Sequence, residues 1–94
     1  MPNRKLEWRE TARADLLSIM DYISDDNPDA ALKLKDDLDT RIETLLDRPK
    51  LYQAGRVAGT REMSMRRRYI VVYKEDETQV TILRVLHAAQ QWPH

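Results

Sequence analysis

His87, Arg61 and Arg84 are the residues of this sequence best suited to chemistry on a phosphate, with Arg66-Arg67-Arg68 as a second cationic group. A histidine titrates near neutrality and can give or take a proton. A guanidinium steadies negative charge on phosphate oxygens. Acid–base work on a phosphate ester would use both, the histidine moving a proton and the cations holding the charge. Each residue also has a plainer use. His87 can end a strand and bind the following tail, Arg84 can pair with a helix carboxylate or dock a partner, and Arg61 can be solvated or ion-paired. The arginine triplet can be an ordinary solvated turn.

A metal centre is not expected. There are no cysteines and only two histidines, one of them His94 at the end of the sequence, and no carboxylate spacing completes a ligand set. No cofactor is expected either.

These side chains must be held by a scaffold that the apolar spacing describes. Residues 4–9 (RKLEWR) alternate, with Leu6 and Trp8 on one side, and read as a short strand. From Thr11 the period lengthens. Ala12, Leu16, Ile19, Met20 and Ile23 recur at helical spacing, with Arg13, Asp15, Asp21 and Asp25 opposite, and this helix should end within 24–27. Asn27-Pro28-Asp29 then starts a second helix: a capping side chain, a proline tolerated at the first position, and an acid at the positive end. Its stripe is Ala31, Leu34, Leu38, Ile42, Leu45 and Leu46, and Pro49 stops it.

After a loop punctuated by Pro49, Gly55 and Gly59, residues 60–66 can form a strand with Arg61, Met63 and Met65 on one face. Arg66–Arg68 falls at a turn. Residues 69–74 are apolar on both faces, as in a central strand, with Tyr69 and Tyr73 as core or sheet-face residues. A polar turn over 75–78 leads to a strand over 79–86. The fold class is α+β, a single domain over 1–94: a short N-terminal strand, an antiparallel two-helix hairpin, then a three-stranded antiparallel sheet.

Sixteen cations balance sixteen anions, which excludes a protein built to coat nucleic acid. The halves differ: residues 1–50 carry a balance of −3 and residues 51–94 one of +3, with the basic residues of the second half mainly between Arg56 and Arg68. No apolar run is long enough for a membrane span, and a cytoplasmic protein is expected.

A helical hairpin covers one face of a small sheet. Plain alternation in the last strand puts Val80, Ile82 and Leu86 on one side and Leu83 and Val85 on the other, so a second face also needs cover. Either a partner supplies it, or Arg84, Trp92 and the tail do. The expected partner contacts are Arg61, Met63, Met65, Arg67, Val80, Ile82, Arg84 and Trp92.

The ordered set of a short first strand, NPDAA at the second helix start, GRVAGTRE, YIVVY and RVLHAAQQWP resembles the RelE/ParE superfamily of toxins from bacterial toxin–antitoxin operons, over nearly the whole chain. The resemblance implies neutralisation by a co-encoded antitoxin, usually with a ribbon–helix–helix DNA-binding part, so that operator DNA is met only through the antitoxin. It also implies one of two targets: the ribosome, where RelE-like members cut mRNA, or DNA gyrase, which ParE-like members poison. Against the RelE-like pattern, Arg61 stands at one catalytic cation position. Met63 occupies the second, Ile70 replaces an expected arginine, the last arginine position falls near Ala88, and the terminal tyrosine has no counterpart. The depleted set and the neutral charge favour the ParE-like branch, with gyrase as target and no chemistry required. The RelE-like ribonuclease using Arg61, His87 and Arg84 is the alternative.

Overall fold

The apolar spacing resolves into β1 (Lys5–Trp8), α1 (Glu10–Asp26), α2 (Pro28–Asp47), β2 (Arg61–Met65), β3 (Tyr69–Glu75) and β4 (Gln79–His87) in the computed structural model, which describes residues 4–93. The strand order is β1-β4-β3-β2. The expected antiparallel three-stranded sheet is present in β2-β3-β4, and β1 adds a fourth strand, parallel to β4, from Lys5↔Gln79 to Trp8↔Ile82. The sheet is therefore mixed. A parallel pair needs a crossover, and here the helical hairpin is part of it.

One residue joins the two helices. The Asn27 backbone N–H donates to the Ile23 carbonyl at 2.9 Å, closing α1. Its side-chain oxygen accepts from the Ala30 N–H at 3.1 Å, opening α2, a cap worth about 1 kcal/mol. Both apolar stripes face one side of the sheet. Ala12, Leu34, Leu38, Ile42 and Leu45 form a core with Met63, Met65, Tyr69, Val71, Tyr73, Val80, Ile82 and Val85, against which Leu16, Ile19 and Ile23 pack at the margin.

The alternation expected for β4 breaks at Leu83. Tyr73 pairs with Ile82, but Val72 pairs with Arg84, so Leu83 is an inserted bulge residue. The phase flips there. Val85 joins Val80 and Ile82 on the helix face, and Leu86 moves to the far face opposite Ile70, contrary to the grouping that uninterrupted alternation gives.

Past Ile82 none of the described strands flanks the outer edge of β4, and α1 takes over. Arg9 N–H donates to the Ile82 carbonyl at 3.0 Å, and the Thr11 hydroxyl donates to the Leu83 carbonyl at 3.1 Å. Asp15 accepts from the Val85 N–H at 2.9 Å. Asp15 thus belongs to the sheet edge and not to the solvent side of α1 where periodicity puts it.

Tyr73 anchors the loop after α2. Its ring is fully buried and its hydroxyl donates to the Pro49 carbonyl at 2.7 Å. Burial disfavours the phenolate and pushes its pKa from 10.0 up to about 12. A raised folded value means that the stability carried by the neutral phenol is complete below pH 10 and is lost as pH climbs through about 12. Alkaline titration followed by circular dichroism should therefore show an unfolding component in that window that Tyr73→Phe shifts or removes. An identical alkaline transition in the variant would rule it out.

Candidate functional site

The two strands that hold Arg61 and His87 place them at opposite ends of the sheet. Arg61 pairs with Tyr73 and His87 with Tyr69, four residues apart along β3, or about 13 Å of strand rise. Arg61 is also occupied. Its Nη1 donates to the Tyr52 carbonyl at 2.8 Å, and its Nε lies 3.8 Å from Glu75 Oε1. It fixes the loop after α2 to the edge of the sheet.

Arg84 is held more tightly still. Its Nε and Nη2 donate to the two Asp15 oxygens at 2.7 and 3.1 Å, a bidentate pair that also raises the guanidinium pKa above its ordinary value. The plainer use, pairing with a helix carboxylate, is what the fold makes of it.

His87 ends β4 at the surface. Its ring meets Tyr69 edge-on at 5.7 Å, and its Nδ1 accepts the Ala89 N–H at 3.2 Å, which in the neutral ring leaves the proton on Nε2. The Gln90 side chain in turn accepts from the His87 backbone N–H at 3.3 Å. Acid–base catalysis on one phosphate needs these groups within hydrogen-bond reach of the same atoms. Arg61, Arg84 and His87 are not brought together.

The expected docking residues divide as well. Met63, Met65, Val80 and Ile82 are 0–1% exposed beneath the helices, so they are core residues and offer no surface to a partner. The reason is the face: the methionine pair sits in register with Val71 and Tyr69, on the side that the helical hairpin covers.

The far face is covered by the chain itself. Glu62, Val72 and Arg84 form a cross-strand row on it. The Trp92 ring lies 5.5 Å from the Arg84 guanidinium, and the Trp92 carbonyl accepts from Arg56 Nη1 at 3.2 Å. Arg56 is itself fastened to Glu62, by its backbone N–H at 2.9 Å and its Nε at 3.4 Å. Val72 and Leu86 on this face are buried, and of the two residues expected to need cover there Val85 lies instead in the core under the helices while Leu83 is half-buried at the bulge.

What remains open lies at the other end. The Arg66–Arg68 turn borders a groove of about 670 Å³ lined by Ile19, Tyr22, Ile23, Leu34, Tyr69 and His87 along with Arg66 and Arg68. Its floor is apolar and its rim is basic. Tyr22 is 81% exposed there, an aromatic ring held in water on a helix otherwise buried on one stripe. Sequence reasoning passed over Tyr22 because it sits one position before Ile23, outside the stripe. Its signal was an aromatic on the polar side of an amphipathic helix. Among the described residues no cluster of His, Asp and Glu is placed to hold a metal, and His94 lies outside them. None of the described helices is long and apolar enough to cross a membrane.

Comparison with known proteins gives this geometry a family. The model of the ParE toxin of the type II toxin–antitoxin system, parDE, matches residues 6–92. A Sinorhizobium fredii protein named "Putative toxin Y4kP" is 35% identical over 94 residues, covering 99% of this chain and 97% of its own. The chromosomal ParDE system of P. aeruginosa superposes with a TM-score of 0.76 at 25% identity, covering 89% of this chain and 95% of that one. The E. coli DinJ–YafQ complex does so at 0.67 with 14% identity, covering 97% and 99%. The Mycobacterium tuberculosis RelBE2 complex gives 0.62 and 23%, covering 92% and 99%. These last two share the fold alone. The match to the family model along nearly the entire chain, joined by a full-length relative, means that this chain belongs to the ParE toxin family of type II toxin–antitoxin systems.

Proposed function

We propose that the chain arrests growth by binding DNA gyrase in the cytoplasm and stabilising the cleaved gyrase–DNA complex, and that a co-encoded antitoxin holds it inactive. The observation that carries this reading is the dispersal of Arg61, Arg84 and His87. Two of the three are bound to internal partners, and the third stands about 13 Å along the strand from the first. An inhibitor that acts by binding needs no assembled catalytic set, so dispersal does not count against it, whereas an RNase would be left without its phosphate clamp. The antitoxin would carry a ribbon–helix–helix domain through which alone the complex meets operator DNA. The apolar groove beside Tyr22 gives its binding segment a landing of suitable character.

Purified free toxin added to gyrase should block supercoiling and accumulate double-strand breaks, and His87→Ala should do so as well as the parent. Unchanged supercoiling with growth arrest intact would defeat the reading. In that event primer extension on translated mRNA tests the ribosome as target: A-site cuts that vanish in His87→Ala would establish the ribonuclease.

A further inference from the structure

The β2–β3 turn holds two non-glycine residues in left-handed backbone. Arg68 N–H closes on the Met65 carbonyl at 3.2 Å, and the two central residues, Arg66 and Arg67, have φ of 55° and 59°. Hairpin turns with both central residues in the left-handed region favour Asn-Gly, because a Cβ is crowded there. Two arginines are an unfavourable choice for the fold, and strain held at a surface turn points to use.

The turn is also braced. Arg66 Nε lies 3.1 Å from Asp37 Oδ2, and its Nη2 donates to the Lys33 carbonyl at 3.4 Å, so the first arginine ties the tip to α2. The Arg68 carbonyl accepts the Ala88 N–H, which ties the base to the segment after β4. Arg67 and Arg68 are exposed, and neither side chain has a carboxylate partner among the described residues. The result is a braced tip with two adjacent exposed guanidiniums in a protein of zero net charge.

We propose that this tip contacts DNA phosphates, with Arg67 and Arg68 as the contacting residues and Arg66 as the brace. Two adjacent exposed guanidiniums without a carboxylate partner suit phosphate oxygens, which take charge-assisted hydrogen bonds from arginine. In the gyrase reading, on which the identity of the DNA rests, the tip meets the duplex held by the enzyme. Two phosphate contacts add a local, salt-sensitive grip to a protein contact without making the whole chain a DNA-binding protein.

The test compares the parent with Arg67→Gly/Arg68→Ala by fluorescence anisotropy on a labelled duplex over a salt series, and by titration against gyrase with and without DNA. Gly at position 67 relieves the left-handed backbone, so the variant should melt no lower than the parent. The log–log salt slope should flatten by about two, which removes about tenfold of the parent's loss of affinity between roughly 50 and 200 mM salt. The preference for DNA-bound over free gyrase should shrink. An unchanged slope and duplex affinity overturns the proposal, and so does a loss confined to antitoxin binding, which would assign the tip to the antitoxin. DNA binding through these two arginines with gyrase untouched would support the tip and refute the gyrase target.

Discussion

Asp15→Ala should lower the stability of the chain by about 3 kcal/mol, the largest effect expected of a single polar side chain here. Three donors converge on this carboxylate: Arg84 Nε and Nη2, and the Val85 N–H at the β4 bulge. Arg84 and Asp15 have side chains only 21% and 17% exposed, so water replaces the lost partner poorly. The substitution leaves a guanidinium and a backbone N–H stranded at the edge that α1 closes. In a domain of this size the thermal midpoint should fall by roughly 10–20 °C. Asp15→Asn keeps an acceptor and should lose less. If much of the penalty is the stranded cation, the same substitution in an Arg84→Met background should cost clearly less, a coupling that a double-mutant cycle reads directly. A loss within about 0.5 kcal/mol for Asp15→Ala alone would place the pair among ordinary surface bridges and defeat the argument.

Trp92→Ala should follow at about 2 kcal/mol, with a distinctive accompaniment. The indole lies beside Arg84 and is fastened by its carbonyl to Arg56, across the row that contains fully buried Val72. Removing the ring deletes packing and a cation–π contact. It also opens apolar surface beside Arg84, at Val72, without touching the core under the helices. The variant should therefore bind a hydrophobic dye in its native state, with its helical signal preserved. Native dye binding equal to that of the parent would mean that the tail is decoration and that Val72 is covered by the loop alone.

The two cases mark where the sequence could be read and where it could not. Asn27-Pro28 announced both the end of α1 and the start of α2, because capping is a local act of one residue and its near neighbours. The stripes of both helices and the three antiparallel strands were equally plain, since periodicity records which side is wet. Leu83 was not. QVTILRVLH reads as unbroken alternation, and only pairing with β3 reveals that one residue is extra. With that phase lost, Leu86 and Val85 were assigned to the wrong faces, and Asp15 looked like a residue facing water.

The candidate site shows the same division. Arg61 and His87 were found by type, but their separation is a matter of register along a strand, which no spacing in the sequence encodes. The alternative of the tail and Trp92 covering the second face was legible, because aromatic residues after a last strand seek apolar cover. What made it a clasp, the link from Arg56 to Glu62 and the Trp92 carbonyl, joins three distant segments.

The pairing of β1 with β4 has a consequence in time. Among the described residues β1 pairs with β4 alone, the first strand with the last, with Lys5 opposite Gln79. During synthesis β1 and both helices precede the strands they pack on, and the sheet-facing stripes of the helical hairpin stay uncovered until those strands follow. Contacts this distant in sequence form late and slowly. The sheet therefore closes only once β4 has been made, so the fold of this toxin is finished by its last strand and not by its helices.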